Sequence, residues 1–317
     1  MEIKRVIVTG GTGVTGNALV RYLLTKGIEV TAIIRPGSVR EKYVPDDPGL
    51  RKVYAGLDDL LSDSLYDQLK DHSYDVFFHL AWDGSRGKEK VNNRNNFHMQ
   101  SQNTTYAVDA VELCHRIDCK TFIMTGSQAE YGDYFEAKSI SEDFPKKPVN
   151  GYGMAKFCAE EMTRALCREY GIRHIWPILF SVYGPRDATE SMVDTSIRGL
   201  LKGESMDYTK GEQMWNYLYS FDAAKALLLL AEKGTDGECY NVASQNEKRL
   251  CEYINELYIT ITGKEAAGIG KRSYPGGRIK YLMADVDKLV SHTGFKEEYS
   301  FTEGIKEIAD SIREEML

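Results

Sequence analysis

Apolar runs and segments of helical period alternate along the first 180 residues of this 317-residue chain. Short runs rich in β-branched residues predict buried strands, and longer segments with apolar residues three and four positions apart predict amphipathic helices. The predicted strands are residues 3–9, 29–34, 52–55, 75–80, 120–125 and 174–179. The helices predicted between them are residues 14–26, 58–71, 95–117 and 152–170. Strands separated by helices predict an α/β fold, in which right-handed crossovers build a parallel sheet covered on both faces.

After residue 185 the pattern changes to helical segments with a few short strands. The helices predicted there are residues 191–202, 222–232, 248–262, 285–293 and 301–314. This change predicts a sheet domain over residues 1–180 and a smaller, mostly helical lobe over residues 181–317. The boundary is approximate, because the chain is expected to cross between the lobes. Glycine and proline cluster in residues 268–277, which predicts an irregular loop that could cover a ligand.

Composition excludes several classes of partner. Charged residues make up 27% of the chain and the formal net charge is −7, which predicts no general affinity for nucleic acid or for an anionic membrane. No apolar run is long enough to span a bilayer, and the amino terminus runs straight into a predicted strand without a leader. We therefore expect a cytoplasmic enzyme that acts on a small molecule.

The cysteines and histidines predict neither a disulfide framework nor a metal site. The six cysteines are scattered without a C-x-x-C pair, and most fall in predicted helices or strands, which favours reduced thiols. The histidines show no ligand spacing. His79 closes a predicted strand and is expected to pack in the core. The alternating aromatic residues Trp215, Tyr217, Tyr219 and Phe221 are expected to pack as well.

The glycine cluster after the first predicted strand indicates a phosphate site. Val6-Ile7-Val8-Thr9 leads into Gly11-x-Gly13-x-x-Gly16, and an amphipathic helix follows. Without side chains at Gly11 and Gly13 the backbone can turn sharply and approach a diphosphate, and Gly16 lets the helix lie against the strand. The helix N-terminus offers free N–H groups and the positive end of its dipole to the anion. This context predicts a dinucleotide site.

Three further residues could carry proton chemistry. Tyr152 and Lys156 are one helical turn apart and share a helix face. A free phenol ionises near pH ~10, and a neighbouring ammonium group and a nicotinamide cation favour the phenolate. Ser127 follows a predicted buried strand, at the carboxyl edge of the sheet where ligands bind in this architecture. Its hydroxyl can donate a hydrogen bond to a substrate oxygen while Tyr152 exchanges a proton.

In order and spacing these motifs resemble the extended short-chain dehydrogenase/reductase family, specifically its nucleotide-sugar epimerases, dehydratases and ketoreductases. The resemblance covers nearly the whole chain. It is carried by Thr9-Gly10-Gly11-Thr12-Gly13-Val14-Thr15-Gly16, His79-Leu80-Ala81, Ser127 with Tyr131-Gly132, Tyr152 with Lys156, Val182-Tyr183-Gly184-Pro185, Asp222-Ala223-Ala224 and Tyr240-Asn241-Val242. It implies a Rossmann-type, doubly wound parallel sheet with a C-terminal substrate lobe, and an NAD(P)-dependent oxidoreductase that acts on a nucleotide-activated sugar.

By this resemblance Tyr152 is the acid/base, Lys156 holds the coenzyme ribose and favours the phenolate, and Ser127 polarises the reacting carbonyl or hydroxyl. The residues expected at the coenzyme are Gly10, Gly13, Val14, Thr15, Gly16, Arg35, Ser38, Asp58, Leu80, Ala81, Tyr152 and Lys156. The residues expected at the substrate are Trp82, Gln128, Ser181, Trp215 and Arg278. In the resembled family the helices corresponding to residues 95–117 and 152–170 often pair across a dimer, which makes a homodimer a possibility here.

Departures from the family pattern narrow the chemistry. The sugar dehydratases carry an Asp-Glu pair after the serine or threonine, where this chain has Gln128-Ala129. An amide and a methyl group cannot supply that acid, so 4,6-dehydration is not expected. Glu130 lies one position further on and is expected to point away or to make a local hydrogen bond. The chain also departs from the family pattern at Gln100, Phe180-Ser181 and Trp215-Asn216-Tyr217, so the residues that contact the nucleotide diphosphate are left open. Arg272 and Arg278 are candidates to make these contacts instead.

The end of the second predicted strand bears on coenzyme choice. An NAD site of this type usually places a carboxylate there to bind the adenosine ribose. Here the strand ends in Arg35-Pro36-Gly37-Ser38-Val39-Arg40, without a carboxylate. Arg35 could bind a 2′-phosphate or stack on adenine, and Ser38 and Arg40 could add donors. We expect NADP(H) to be favoured, with NAD possible, and Asp58 to bond the adenine edge.

These features favour the reduction of a nucleotide-linked 4-keto-deoxysugar, with Tyr152 as the proton donor. A nucleotide-sugar 4-epimerase with tightly bound coenzyme would use the same three residues and stays open. A small-ketone reductase and a non-catalytic NADP-binding sensor are further alternatives, because the fold alone does not fix the function. The expected partner is a nucleotide sugar.

Overall fold

The computed structural model describes residues 2–84, 93–136, 138–187, 190–275 and 280–316. Its strands are β1 (Arg5–Thr9), β2 (Glu29–Ile34), β3 (Leu50–Tyr54), β4 (Val76–His79), β5 (Thr121–Met124), β6 (Gly126–Ser127), β7 (Arg173–Leu179), β8 (Val182–Tyr183), β9 (Met214–Asn216), β10 (Leu218–Tyr219), β11 (Cys239–Val242) and β12 (Glu247–Arg249). Its helices are α1 (Val14–Thr25), α2 (Asp63–Leu69), α3 (Phe97–Arg116), α4 (Gly151–Tyr170), α5 (Met192–Leu201), α6 (Ser220–Lys233), α7 (Leu250–Thr262), α8 (Asp287–Thr293) and α9 (Phe301–Met316).

The main sheet is parallel, with the strand order β11-β7-β5-β4-β1-β2-β3 and with β6 beside β7. The order of strands reverses between β1 and β4, whose residues pair in register from Val6 opposite Val76 to Thr9 opposite His79. In doubly wound sheets the ligand crevice opens at this reversal, beyond the carboxyl ends of the strands. This topology confirms the predicted Rossmann-type α/β fold.

Alternation along the strands explains why helices cover both faces of the sheet. In β1, Ile7 joins the buried cluster under α2, α3 and α4, whereas Val6 and Val8 join the cluster under α1, α6 and α8. Successive side chains of a strand point to opposite faces, so a continuous apolar run requires cover on both sides. Within the described ranges, no helix is both long enough and apolar enough to cross a membrane.

All but one of the predicted helices match the structure to within two residues at each end. The helix predicted over residues 58–71 is wrong as one element, because a short 3-10 turn at Leu57–Asp59 is followed by the separate helix α2. Ser62 starts that helix, and its hydroxyl accepts a hydrogen bond from the Leu65 N–H at 3.3 Å. The helix predicted from residue 248 begins at Leu250, since β12 pairs antiparallel with β9 just before it.

The chain after residue 180 contributes to both parts of the molecule. Strand β11 returns to the edge of the main sheet beside β7, and α6 packs on the sheet near α1. Helices α5, α7 and α9 instead surround a separate buried cluster rich in aromatic side chains. The division at residue 180 stays a prediction, and the return of β11 is the kind of crossing that the sequence leads us to expect.

Candidate active site

The glycine turn between β1 and α1 is shaped by two close backbone approaches. Gly10 has φ +74°, and a Cβ added there would lie 2.6 Å from the Ala81 nitrogen. A Cβ on Gly16 would lie 2.2 Å from the Gly10 carbonyl oxygen. The sequence suggested that Gly11 and Gly13 make the sharp turn, whereas the positive φ falls on Gly10. Only glycine adopts this conformation at low cost.

The first turn of α1 is open to an anion. Gly13 occupies the N-cap position without a side-chain capping bond, and no acidic residue lies in the first turn. The N–H groups at such a helix start carry partial positive charge and lack intrahelical partners. This geometry is compatible with the predicted diphosphate site, which stays a prediction.

Two cavities meet at this turn. The first, of about 590 Å³, extends past the end of β2 and is lined by Gly10, Gly13, Arg35, Ser38, Asp58, Leu80, Ala81 and Trp82, among others. The second, of about 350 Å³, is lined by Gly10, Gly13, Val14, Thr15, Gly16, Leu80, Trp82, Ser127, Gln128, Tyr152, Lys156 and Ser181, among others. All the coenzyme residues expected from the sequence thus line one cavity or both. Gly10 and Gly13 line both cavities, so the glycine turn lies between two connected spaces, which suits the two halves of a dinucleotide.

Tyr152 and Lys156 project from the first turns of α4 into the second cavity. The Lys156 Nζ donates a hydrogen bond to the Thr125 carbonyl at 2.7 Å and lies 3.9 Å from the centre of the Trp82 ring. Burial lowers the pKa of Lys156 to about 7, and the negative charge of Glu130 opposes that shift. The rings of Tyr152 and Trp82 pack edge to face, with 6.0 Å between ring centres.

Ser127 is held from behind by its own turn. Its N–H donates to Glu130 Oε1 at 2.7 Å, and its hydroxyl oxygen accepts from the Ala129 N–H at 3.3 Å. Because the hydroxyl accepts this bond, its proton can be donated towards the cavity. Glu130 is fully buried, so the expectation of a local hydrogen bond for this residue is confirmed.

The end of the first cavity carries the basic residues that bear on coenzyme choice. The Arg35 Nη1 lies 3.9 Å from Asp83 Oδ1, and both side chains are exposed. The Arg40 guanidinium instead donates to the backbone carbonyls of Thr12, at 2.9 Å, and Arg186. Arg40 therefore braces the glycine turn, while Arg35 is the more accessible cation at the end of β2. Asp58 lines the same cavity from the loop after β3.

The residues that line both cavities lie within the part of the chain that matches a known family. The model of the NAD dependent epimerase/dehydratase family matches residues 6–243. The chain belongs to this family. It is therefore an enzyme of the short-chain dehydrogenase/reductase type, and the motifs recognised in the sequence identified it correctly.

Individual relatives are distant in sequence and similar in fold. A probable dTDP-glucose 4,6-dehydratase of Sinorhizobium fredii is 25% identical, with 96% of this chain and 92% of that protein covered. A UDP-glucose 4-epimerase of Thermotoga maritima, solved with UDP-glucose, has a TM-score of 0.85 at 21% identity and covers 99% of this chain and 100% of its own. A UDP-glucuronic acid 4-epimerase of Bacillus cereus, solved in complex with NAD, has a TM-score of 0.81 at 21% identity and the same coverage.

In this family member, His79 is structural, as the sequence predicted. It is buried, and burial lowers its pKa to about 3, so the ring is neutral. Its Nδ1 lies 2.9 Å from the Thr9 hydroxyl oxygen, which also accepts from the Ala81 N–H at 3.3 Å. This chain of bonds fixes the Leu80-Ala81 backbone against the glycine turn.

The described residues that were expected at the substrate line the second cavity, a third cavity or both. Ser181 and Trp82 line the second cavity, and Gln128 lines both this cavity and a third of about 180 Å³. Trp215 lines only the third of these three cavities, and Arg278 lies outside the described residues. Trp82 is held by a hydrogen bond from its Nε1 to Gln100 Oε1 at 2.9 Å. Gln100 therefore acts on the site through Trp82.

Other side chains near the site had no signal in the sequence. Lys146 donates to Glu130 Oε2 at 3.0 Å and also bonds Glu160, which pairs with Arg164. Burial raises the pKa of Glu130 to about 7, with Lys146 opposing the shift. Arg94 lines the second and third cavities. Lys146 lies in an irregular segment and Arg94 in a short helical stretch before α3, and neither periodicity nor a motif marks them.

Proposed function

We propose that this enzyme reduces the 4-keto group of a nucleotide-linked deoxysugar. The observation that carries the proposal is the second cavity, where Ser127, Tyr152 and Lys156 meet beside the glycine turn. A dehydratase would also need an acid beside Ser127. Gln128 and Ala129 cannot supply it, and the carboxylate of Glu130 is buried against Trp176 and Lys146.

The side chains of the second cavity suit proton delivery to a carbonyl oxygen. A bound nicotinamide coenzyme supplies the hydride. The Ser127 hydroxyl donates a hydrogen bond to the substrate oxygen, and the Tyr152 hydroxyl gives its proton to the same atom. Lys156 stabilises the phenolate that remains, because its ammonium group lies one helical turn away on the same face.

The coenzyme and the sugar would contact different residues of the two cavities. The first turn of α1 would hold the coenzyme diphosphate, with Arg35, Ser38 and Asp58 at the adenosine end and Lys156 at the nicotinamide ribose. Trp82, Gln128 and Ser181 would contact the sugar in the second cavity. Trp215 and Arg278 would lie further out, towards the nucleotide.

NADP(H) is the coenzyme that the end of β2 suits best. No acidic residue follows this strand directly, and Arg35 with Ser38 lines the cavity where a 2′-phosphate would lie. An arginine binds a phosphate through paired, charge-assisted hydrogen bonds. Because the solved Bacillus cereus epimerase is in complex with NAD, the two coenzymes must be compared directly. A clear preference for NAD(H) in kcat/KM would reject this assignment.

The reaction is tested by mixing the enzyme with a nucleotide-linked 4-keto-6-deoxysugar and NADPH. We expect the reduced coenzyme to be consumed in a one-to-one ratio with the sugar. The Tyr152→Phe variant should lose turnover by several orders of magnitude and keep coenzyme binding, since only the proton donor is removed. An unchanged rate in that variant would contradict the catalytic assignment.

A nucleotide-sugar 4-epimerase is the second candidate, favoured by the fold shared with the Thermotoga maritima enzyme. An epimerase would interconvert two nucleotide sugars without net loss of reduced coenzyme. Turnover of simple ketones with no response to nucleotide sugars would indicate a small-ketone reductase. Coenzyme binding without turnover of any substrate would indicate a sensor.

A further inference from the structure

Arg94 contacts the ring of Tyr152 but has no role in the reaction proposed above. Its guanidinium carbon lies 4.8 Å from the centre of the Tyr152 ring. A cation within about 6 Å of an aromatic ring is attracted to the ring's electron-rich face. Arg94 also lines the second cavity together with Ser127 and Lys156. A permanent positive charge therefore lies beside the hydroxyl-bearing ring of the site.

The backbone places Arg94 there through close packing. A Cβ added to Gly151, the first residue of α4, would lie 3.0 Å from the Arg94 carbonyl oxygen and 3.2 Å from the Phe97 ring. The start of the helix that carries Tyr152 is therefore packed against the segment that carries Arg94. The buried Nε of Arg94 makes no hydrogen bond to another described residue, so ion pairing through this atom does not draw the guanidinium away from Tyr152.

Two other charged side chains among the described residues share this cavity with Tyr152 and Arg94. Among the described residues that line this cavity, the charged ones besides Arg94 are Lys156 and Asp187. Burial lowers the pKa of Lys156 to about 7, so this lysine carries only part of its charge at neutral pH. Glu130 lies behind Ser127, and His79 is neutral. An arginine keeps its charge throughout this pH range.

We propose that Arg94 is a positioning residue that stabilises the phenolate form of Tyr152 and so supports proton transfer to the substrate. The proposal rests on the assigned role of Tyr152 as the acid/base. Arg94 acts through the Tyr152 ring: as the phenol releases its proton, the negative charge that develops is attracted by the guanidinium.

The first test measures ionisation without turnover. The ultraviolet absorbance of the enzyme is titrated with alkali, and the contribution of Tyr152 is obtained by subtracting the Tyr152→Phe titration in the same background. In Arg94→Met, which removes the charge and keeps an unbranched side chain, we expect the pKa of Tyr152 to rise by about one unit. Arg94→Lys should restore most of the difference, because it keeps a cation at the ring.

A matched control removes an arginine from the same helix as Tyr152. Arg168 is exposed in the last turn of α4, about 24 Å along the helix from Tyr152 at 1.5 Å per residue. Arg168→Met should leave the Tyr152 titration where it is in the parent enzyme. Circular dichroism spectra that coincide with the parent's show that each variant is folded.

The second test uses the pH dependence of keto-sugar reduction. In Arg94→Met the limb of the kcat/KM profile that reports Tyr152 should move to higher pH by about one unit. Below that limb kcat should fall by at most about tenfold, because a phenol with a higher pKa is a weaker proton donor. A higher KM with neither the limb nor the Tyr152 titration moved would make Arg94 a substrate-binding group and overturn the proposal. If the parent reduces no keto-sugar, the proposed function fails, while the titration still decides the role of Arg94.

Discussion

Lys156 is buried and donates to the Thr125 carbonyl, and burial lowers its pKa to about 7. In the unfolded chain a lysine ionises near ~10.4. Between these two values the unfolded state binds one more proton than the folded state, so this residue makes stability rise with pH. Below pH 7 the full cost of burying the ammonium group is present. A lysine kept in such a place needs a functional reason.

Replacing Lys156 by methionine should therefore stabilise the protein and inactivate it. At pH 6 we expect the free energy of unfolding in urea to rise by an amount on the order of 2 kcal/mol, because the charged group no longer has to be buried. The gain should shrink as the pH is raised from 7 to 9. Lys120→Met, at an exposed ion pair with Asp118, serves as the control and should show no such trend. A gain that does not vary with pH would contradict the assignment of the buried charge.

The residues of the site differ in how far the sequence could predict them. Ser127, Tyr152 and Lys156 stand in recognisable contexts, the end of a buried strand and the start of a helix, so their meeting in a cavity follows from the fold. Arg94 meets Tyr152 only because the start of α4 packs on the chain before α3. A local sequence pattern cannot predict a contact between the chain before α3 and the start of α4, which are far apart in sequence.

At the scale of elements, the turn after β5 is supported by charges beneath it. Glu130 accepts from the Ser127 N–H and from Lys146, and Lys146 also bonds Glu160 on α4. The loop that carries Lys146 thus ties the Ser127 turn to the helix of Tyr152. Burial lowers the pKa of Lys146, but the two carboxylates outweigh burial and raise it. A charged lysine between two carboxylates holds the elements together.

Replacing Lys146 should destabilise the packing of the Ser127 turn on α4. Lys146→Met leaves the carboxylates of Glu130 and Glu160 in the interior without their shared cation, which costs about 3 kcal/mol or more for a broken buried pair. Urea unfolding measures the loss. Lowering the pH from 7 to 5 should recover part of it, because protonated carboxyl groups are cheaper to bury. A loss that is the same at both pH values would argue against the missing cation between the buried carboxylates as its cause.

The bounds of a helix or strand can be predicted from the sequence where its periodic pattern of apolar residues runs over many positions. Helices α1, α3 and α4 lie within two residues of their predicted bounds. The short strands β6, β8 and β10 were not predicted, since two residues carry no period. The helix predicted over residues 58–71 continued an apolar period across Ser62, whose hydroxyl instead begins a new helix.

At the scale of the molecule, the two large cavities lie where the strand order of the sheet reverses. The βα alternation predicts a parallel sheet, and such a sheet has its crevice at the reversal between β1 and β4. The return of β11 and α6 to this sheet was not predicted in detail, because it depends on packing between distant parts of the chain. That return places α6 beside α1. The helix whose N-terminus is proposed to bind the diphosphate is thus supported by α6.

Coenzyme binding should therefore stabilise the whole fold through the glycine turn. A ligand present at one hundred times its Kd adds about 2.7 kcal/mol to the free energy of unfolding. For a chain of this length we expect NADPH at that ratio to raise Tm by about 5 °C. Calorimetry with NADPH, and with NADH at the same concentration, measures the effect and ranks the coenzymes.

Gly16→Ala should remove this response. The added Cβ would meet the Gly10 carbonyl oxygen at 2.2 Å, a backbone atom that can move away only if the turn opens. The anion site then loses its shape, so NADPH at the parent's saturating concentration should leave Tm unchanged. Thr25→Ala, at the exposed far end of the same helix, should keep the full rise in Tm. If Gly16→Ala responds like Thr25→Ala, the diphosphate does not lie on the turn between β1 and α1.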